Sequence, residues 1–166
     1  MTEGLRKFAK MKPLPAASET DLFFCWDANR VDIGGKKLLI MTNSSNRLCA
    51  ITRMAGFEWK KIAELAPQLM ANAMATAGMS DKEYHAYMQA AGDIVLTKTH
   101  GSKPLGGLAE IQNTLWSEDV DMSDKTQLFQ MARYNTLMIG HCATRKDYGY
   151  PYEWFPDDLR TRRIVS

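Results

Sequence analysis

Residues 36–53 read KKLLIMTNSSNRLCAITR, and the fold turns on this stretch. Residues 36–42 hold an apolar run that suits a buried strand. Asn43, Ser44, Ser45 and Asn46 follow, a cluster of turn-forming residues. Residues 47–53 then alternate. Leu48, Ala50 and Thr52 fall on one side of an extended chain, and Cys49, Ile51 and Arg53 on the other. Two such runs joined by a short polar turn form an antiparallel pair. Upstream, Val31 and Ile33 alternate around Asp32, and Gly34-Gly35 fits a tight hairpin turn. Earlier still, the apolar run from Leu22 to Trp26 suits a strand, with Asp27, Ala28, Asn29 and Arg30 as a turn after it. The expectation is an antiparallel β-meander.

Beyond Gly56 the period changes. Trp59, Ile62, Ala66, Leu69, Met70, Ala73 and Met74 fall on one helical stripe, interrupted by Pro67. Ser80 and Glu83 have the spacing of a capping box and predict a second helix, with Tyr84, Tyr87, Met88 and Ala91 on its apolar face. Ile94 to Leu96 suits a short strand and Leu105 to Trp116 a helix. A further helix is predicted from Asp124 to Ile139, capped by Ser123 and closed by Gly140. The aromatics Tyr148, Tyr150, Tyr152, Trp154 and Phe155, interleaved with prolines, suggest an irregular segment packed on the core. The predicted fold class is α+β, an antiparallel β-meander packed against several α-helices in a single layer on one sheet face. Residues 1–20 read as a flexible basic arm, residues 21–158 as a single α+β domain, and residues 159–166 as a basic tail.

With 166 residues the chain has the length of one domain and buries a core without metal or disulfide staples. A formal net charge of +2 does not by itself demand nucleic acid, a membrane or an acidic substrate. Cys25, Cys49 and Cys142 are far apart with no CxxC, so neither a zinc site nor a disulfide framework is expected. Reduced thiols point to the cytoplasm. The N-terminus lacks the apolar core of a secretory signal, and no apolar run approaches the roughly 20 residues of a membrane span.

Residues 93–115, DIVLTKTHGSKPLGGLAEIQNTL, carry the densest polar chemistry. With Pro104 at the first helical position, Lys103 would occupy the cap. Free backbone amides there, beside Lys98, Thr99, His100, Ser102 and Lys103 and followed by Gly106 and Gly107, would suit a phosphate or a partner carboxylate. An ordinary surface turn explains the same residues. The loop is neither GxxxxGK[ST] nor GxGxxG. Arg160, Arg162 and Arg163 are a second basic group. Basic residues beside aromatics suit phosphate contact and stacking.

No catalytic residue is assigned. His85 has Gln89 four residues on, so no HxxxH pair exists; His141 follows a helix-ending glycine; His100 alone lies in a polar loop. No GxSxG elbow is present. The acidic residues 118–124 lack the EF-hand spacing and read as a solvated connection. No metal and no cofactor is expected. The eleven methionines read mostly as core filling.

The strand Leu39-Ile40-Met41-Thr42-Asn43, the pair Lys98-Thr99 and the segment Leu105-Gly106-Gly107-Leu108 keep an order that is similar to a family of small uncharacterised bacterial proteins, classed as a domain of unknown function. The resemblance covers residues 22–115. Ser102-Lys103 stands where the pattern has Arg-Ser, and Ala109 where it has Asn. The resemblance implies a fold and no activity.

The functional expectation is a non-enzymatic binding or regulatory module acting through a protein partner, such as an accessory or inhibitor protein of a mobile element. Nucleic-acid binding through residues 98–103 and the basic ends is the first alternative. A small hydrolase using His100 is the second, and it requires His100 to face a cleft beside a carboxylate. No membrane partner is expected, and the oligomeric state is open.

Overall fold

The computed structural model of the protein describes residues 1–165. Its sheet has the order β1 (Trp26–Ile33), β2 (Lys36–Asn43), β3 (Cys49–Arg53), antiparallel throughout. The helices are α1 (Glu3–Phe8), α2 (Ile62–Thr76), α3 (Asp81–Ala91), α4 (Ser102–Ser117), α5 (Lys125–Leu137) and α6 (Pro151–Thr161). The α+β class and the meander hold. Gly34 and Gly35 have φ of +55° and +72°, both positive as a two-residue hairpin turn requires, and Ile33 pairs with Lys36.

The sheet is covered on both faces, which corrects the expected single layer. Ala28, Leu39, Met41, Leu48 and Ala50 form one core with side chains from α1, α2, α3 and α6. Val31, Leu38, Ile40, Cys49 and Ile51 form a second with α4 and α5. The cause is in β2. Its residues 38–41 are apolar without alternation, so a helix on one side would leave Leu38 and Ile40, or Leu39 and Met41, in water. Around the β3 edge the two layers meet, where the buried hydroxyls of Thr76 on α2 and Thr136 on α5 lie 2.8 Å apart.

Local expectations gave way in several places. Leu22–Phe24 is one 3-10 turn, its Phe23 amide bonded to the Asp21 side chain at 3.0 Å, and residues 27–30 belong to β1, paired with 39–42. Ladder pairing outweighs the turn preference of Asp and Asn there. Residues 94–96 are outside the sheet. They lie in the crossing from α3, on the first face, to α4, on the second, past the edge of β1. Residues 151–161 are helical, with Pro151 in the first turn and Trp154, Phe155 and Leu159 turned inward. Finally, the expected arm and tail are part of the body. Met1, Leu5 and Ala9 are buried, and the Thr2 amide donates to the Ala28 carbonyl at 3.0 Å, which blunts the edge of β1. Leu159 is buried and Ile164 and Val165 pack on the first core, while Ser166 lies outside the described residues.

Helix ends follow local chemistry. Ser80 and Glu83 make the predicted reciprocal capping box. Asp124, rather than Ser123, caps α5 by accepting from the Thr126 and Gln127 amides. The cap of α4 is Gly101 at φ +104°, so Lys103 lies inside the helix and not at its cap. No described helix is long and apolar enough to cross a membrane.

Candidate functional site

The polar turn between β2 and β3 is the unusual feature of the interior. Asn43, Ser44, Ser45 and Asn46 are all buried, although turns of this composition normally face water. Their polar groups are met from within. Asn43 Oδ1 accepts from the Ser45 amide at 3.0 Å, and Asn43 Nδ2 donates to the Phe23 carbonyl at 2.7 Å. Asn46 Oδ1 accepts from the Leu48 amide at 3.2 Å. The turn thereby satisfies its own backbone while remaining covered.

Two buried carboxylates flank this turn. On one side Asp158 of α6 accepts from Asn46 Nδ2 at 3.1 Å, Ser45 Oγ at 3.3 Å, Arg145 at 3.0 Å and Arg162 at 3.4 Å. Both of its oxygens are engaged. On the other side Asp27 of β1 accepts from Ser44 Oγ at 2.8 Å through Oδ2 alone. Asp27 Oδ1 has no hydrogen-bond partner among the described residues. Nδ1 of His100, itself buried and unpartnered, lies 4.0 Å from it, and the Met1 amino group interacts with the same carboxylate. A buried carboxylate oxygen without a donor is costly, so Asp158 reads as a structural pin and Asp27 as the group held for another purpose.

His100 also lines a cavity of about 330 Å³. The cavity lies between the first face of the sheet, α2, α3 and the crossing segment. Trp26, Met41, Ala66, Met70 and Met88 are among its walls, and Cys25, Glu19 and Asp93 also line it. Tyr87 also borders it, but its hydroxyl is committed, accepting from Trp26 Nε1 at 2.8 Å and donating to the Phe23 carbonyl at 3.0 Å. Since the Nδ1 edge of His100 is turned to Asp27, Nε2 is the ring nitrogen left uncommitted.

The remaining residues of the predicted anion site divide. Lys98, Ser102 and Lys103 are exposed and Thr99 is half-buried, around the start of α4. Gly106 is exposed on that helix. Gly107 is buried and serves packing: a Cβ there would come within 3.2 Å of Arg47 Cγ. Arg47 lies across it, bonded to Glu110 at 2.5 Å and to the His141 carbonyl at 3.1 Å. Of the C-terminal arginines, Arg162 is engaged by Asp21 at 2.8 Å and by Asp158, and Arg160 pairs with Asp157 at 3.0 Å. Arg163 is exposed. The basic group is therefore largely a set of internal ion pairs.

The thiols are poor nucleophiles. All three are buried and free. Burial pushes both Cys25 and Cys49 up to about 12. Among the described residues no group of three His, Cys, Asp or Glu side chains is placed to hold a metal ion.

Asp27, Asp158 and the buried state of residues 43–46 escaped the sequence reading. The signal was present in the density of Asn and Ser between two apolar strands, but nothing local marks such a turn as covered.

Residues 1–154 match the family described as Domain of unknown function (DUF6933). The chain belongs to this family. The matched region takes in both faces of the sheet, the polar turn, Asp27 and His100, and ends before Asp158. No curated protein and no solved structure matches the chain.

Proposed function

We propose that the protein is a non-enzymatic binding module that engages a protein partner through the end of α5 and the turn after it. The supporting observation is a contiguous exposed apolar surface. Leu137, Met138 and Ile139 are exposed in succession, and Tyr134 precedes them on the helix. The Gly140–Gly149 bridge, with bonds of 2.8 and 3.0 Å, brings Tyr148 beside them, its ring 5.8 Å from that of His141. Arg133 and Lys146, both exposed, form no ion pair among the described residues. Apolar side chains grouped this way and bordered by free cations suit a protein surface with an apolar centre and an acidic rim. An accessory or inhibitor of a larger complex, working in the cytoplasm where three thiols stay reduced, is the role such a module would take.

The test is a capture experiment with two variants. A partner held by the unmodified protein should be lost with Leu137→Ser/Ile139→Ser and kept with Lys98→Glu/Lys103→Glu. The opposite pattern, with oligonucleotide in place of protein and steep salt dependence, would support the nucleic-acid reading instead. Retention by both variants would remove this surface from the proposal.

One observation favours catalysis by His100 as a second reading: the imidazole borders a cavity beside Asp27. A nucleophile is the missing part, since Ser44 is bonded to Asp27 and Cys25 is held as a thiol. Turnover of chromogenic esters that disappears in His100→Gln would support it.

A further inference from the structure

The exposed surface on α5 does not account for the cavity, with which it shares no residue. The cavity has three properties that together specify a ligand. Its volume, about 330 Å³, is that of a small-molecule pocket. Trp26, Met41, Met70 and Met88 give it an apolar wall. Its basic groups are His100 and the Met1 amino group, which donates to the Thr97 carbonyl at 2.7 Å, and Ser18, Glu19, Asp93 and Thr97 also line it.

We propose that this cavity binds a carboxylic acid with an apolar tail, whose head group is held by His100. Asp27 is fixed by Ser44 at 2.8 Å and offers its free Oδ1 to His100 Nδ1, 4.0 Å away. An imidazolium has two N–H donors and needs two acceptors when buried. Asp27 can meet only the Nδ1 side. A ligand carboxylate meets the Nε2 side, so the ring lies between two carboxylates, Asp27 on its Nδ1 side at 4.0 Å and the ligand on the other. A neutral head group such as an alcohol would leave the imidazolium with one anion and gain less. Of the acidic residues Glu19 and Asp93 in the lining, Glu19 is engaged elsewhere: its Oε1 accepts from the Thr20 and Asp21 amides at 2.7 Å each. The apolar tail then lies along Trp26 and the methionines, which adapt to irregular shapes. Asp27 is a positioning residue in this arrangement and His100 the one that touches ligand.

The experiment is a calorimetric titration of decanoate, and separately of 1-decanol, into the full-length protein. Decanoate should saturate one site and bind about tenfold or more tightly than decanol, the range of one charge-assisted hydrogen bond. His100→Gln should abolish that difference while leaving decanol affinity unchanged. Ala91→Phe, which narrows the cavity from α3, should weaken both ligands. Equal affinity for the two ligands in the unmodified protein overturns the proposal without reference to any variant. So do the absence of saturable decanoate binding, decanoate binding that Ala91→Phe leaves intact, and equal loss of both ligands in His100→Gln.

Discussion

Asp27 Oδ1 and His100 Nδ1 face each other at 4.0 Å, both buried and neither with another partner among the described residues. Asp27 therefore keeps a carboxylate in the interior with half its acceptor capacity unused. Asp27→Asn retains an oxygen for Ser44 and removes the buried charge. It is expected to raise stability by about 1 kcal/mol, as when a poorly compensated buried charge is removed. Urea denaturation checks this, and a clear loss of stability would instead make Asp27 part of the frame.

Asp158 is predicted to behave in the opposite way. Its oxygens are engaged by Arg145, Arg162, Ser45 and Asn46. Asp158→Ala removes the acceptor that Arg145, Ser45 and Asn46 share and one of the two carboxylates that hold Arg162, and should cost about 3 kcal/mol or more. The same denaturation experiment measures it, and the contrast in sign with Asp27→Asn is the informative quantity.

Adjacent glycines on α4 should also differ. A Cβ at Gly106 meets nothing within 4 Å, so Gly106→Ala should stabilise the helix by about 0.5–1 kcal/mol. At Gly107 the added Cβ would come within 3.2 Å of both Cγ and Nε of Arg47, which Glu110 and the His141 carbonyl hold in place. Gly107→Ala should lose that gain or turn it into a net loss. Thermal melting of the two single variants separates them.

Acid should loosen the attachment of α6. The hydrogen bonds from Arg162 hold the Asp21 carboxyl below its ordinary value of 3.8. A carboxylate depressed in the folded protein contributes stability above its unfolded value, and this is lost as pH falls through the folded one. The loss should thus appear below about pH 4. Because Asp21 is partly exposed, its size should be about 1 kcal/mol or less. Asp21→Asn should flatten that part of the stability-against-pH curve and leave neutral stability lower by a similar amount.

Thiol labelling should be slow in the native state. Cys25, Cys49 and Cys142 are buried, and the first two are pushed up to about 12 by that burial. At pH 8 an aromatic disulfide reagent should find no fast-reacting thiol in the folded protein and three after denaturation. Fast stoichiometric labelling of one native cysteine would contradict the placement of that residue.

The elements governed by short-range chemistry were legible in the sequence. Gly34-Gly35, the alternation of residues 47–53 and the Ser80–Glu83 box each state their structure within a few residues. What was not legible depends on distant partners. Residues 27–30 look like a turn until β2 pairs with them. The run Leu38 to Met41 already implied a sheet covered twice, because four consecutive apolar residues in a strand cannot share one face. The site was half legible. His100 stood out by composition, whereas Asp27 looked like a turn aspartate and its relation to His100 spans the whole crossing segment. Arg162 read as free charge because its acceptor, Asp21, lies 141 residues away.

The buried polar turn has a consequence for how the chain matures. Ser45 and Asn46 find their acceptor in Asp158, 113 and 112 residues later. A nascent chain can close the meander early, but it cannot seal residues 43–46 from water until α6 has emerged from the ribosome and swung back across the sheet. Translation time is thus built into the fold. Until α6 docks, Ser45 and Asn46 lack their acceptor in Asp158 and the polar turn stays open to water.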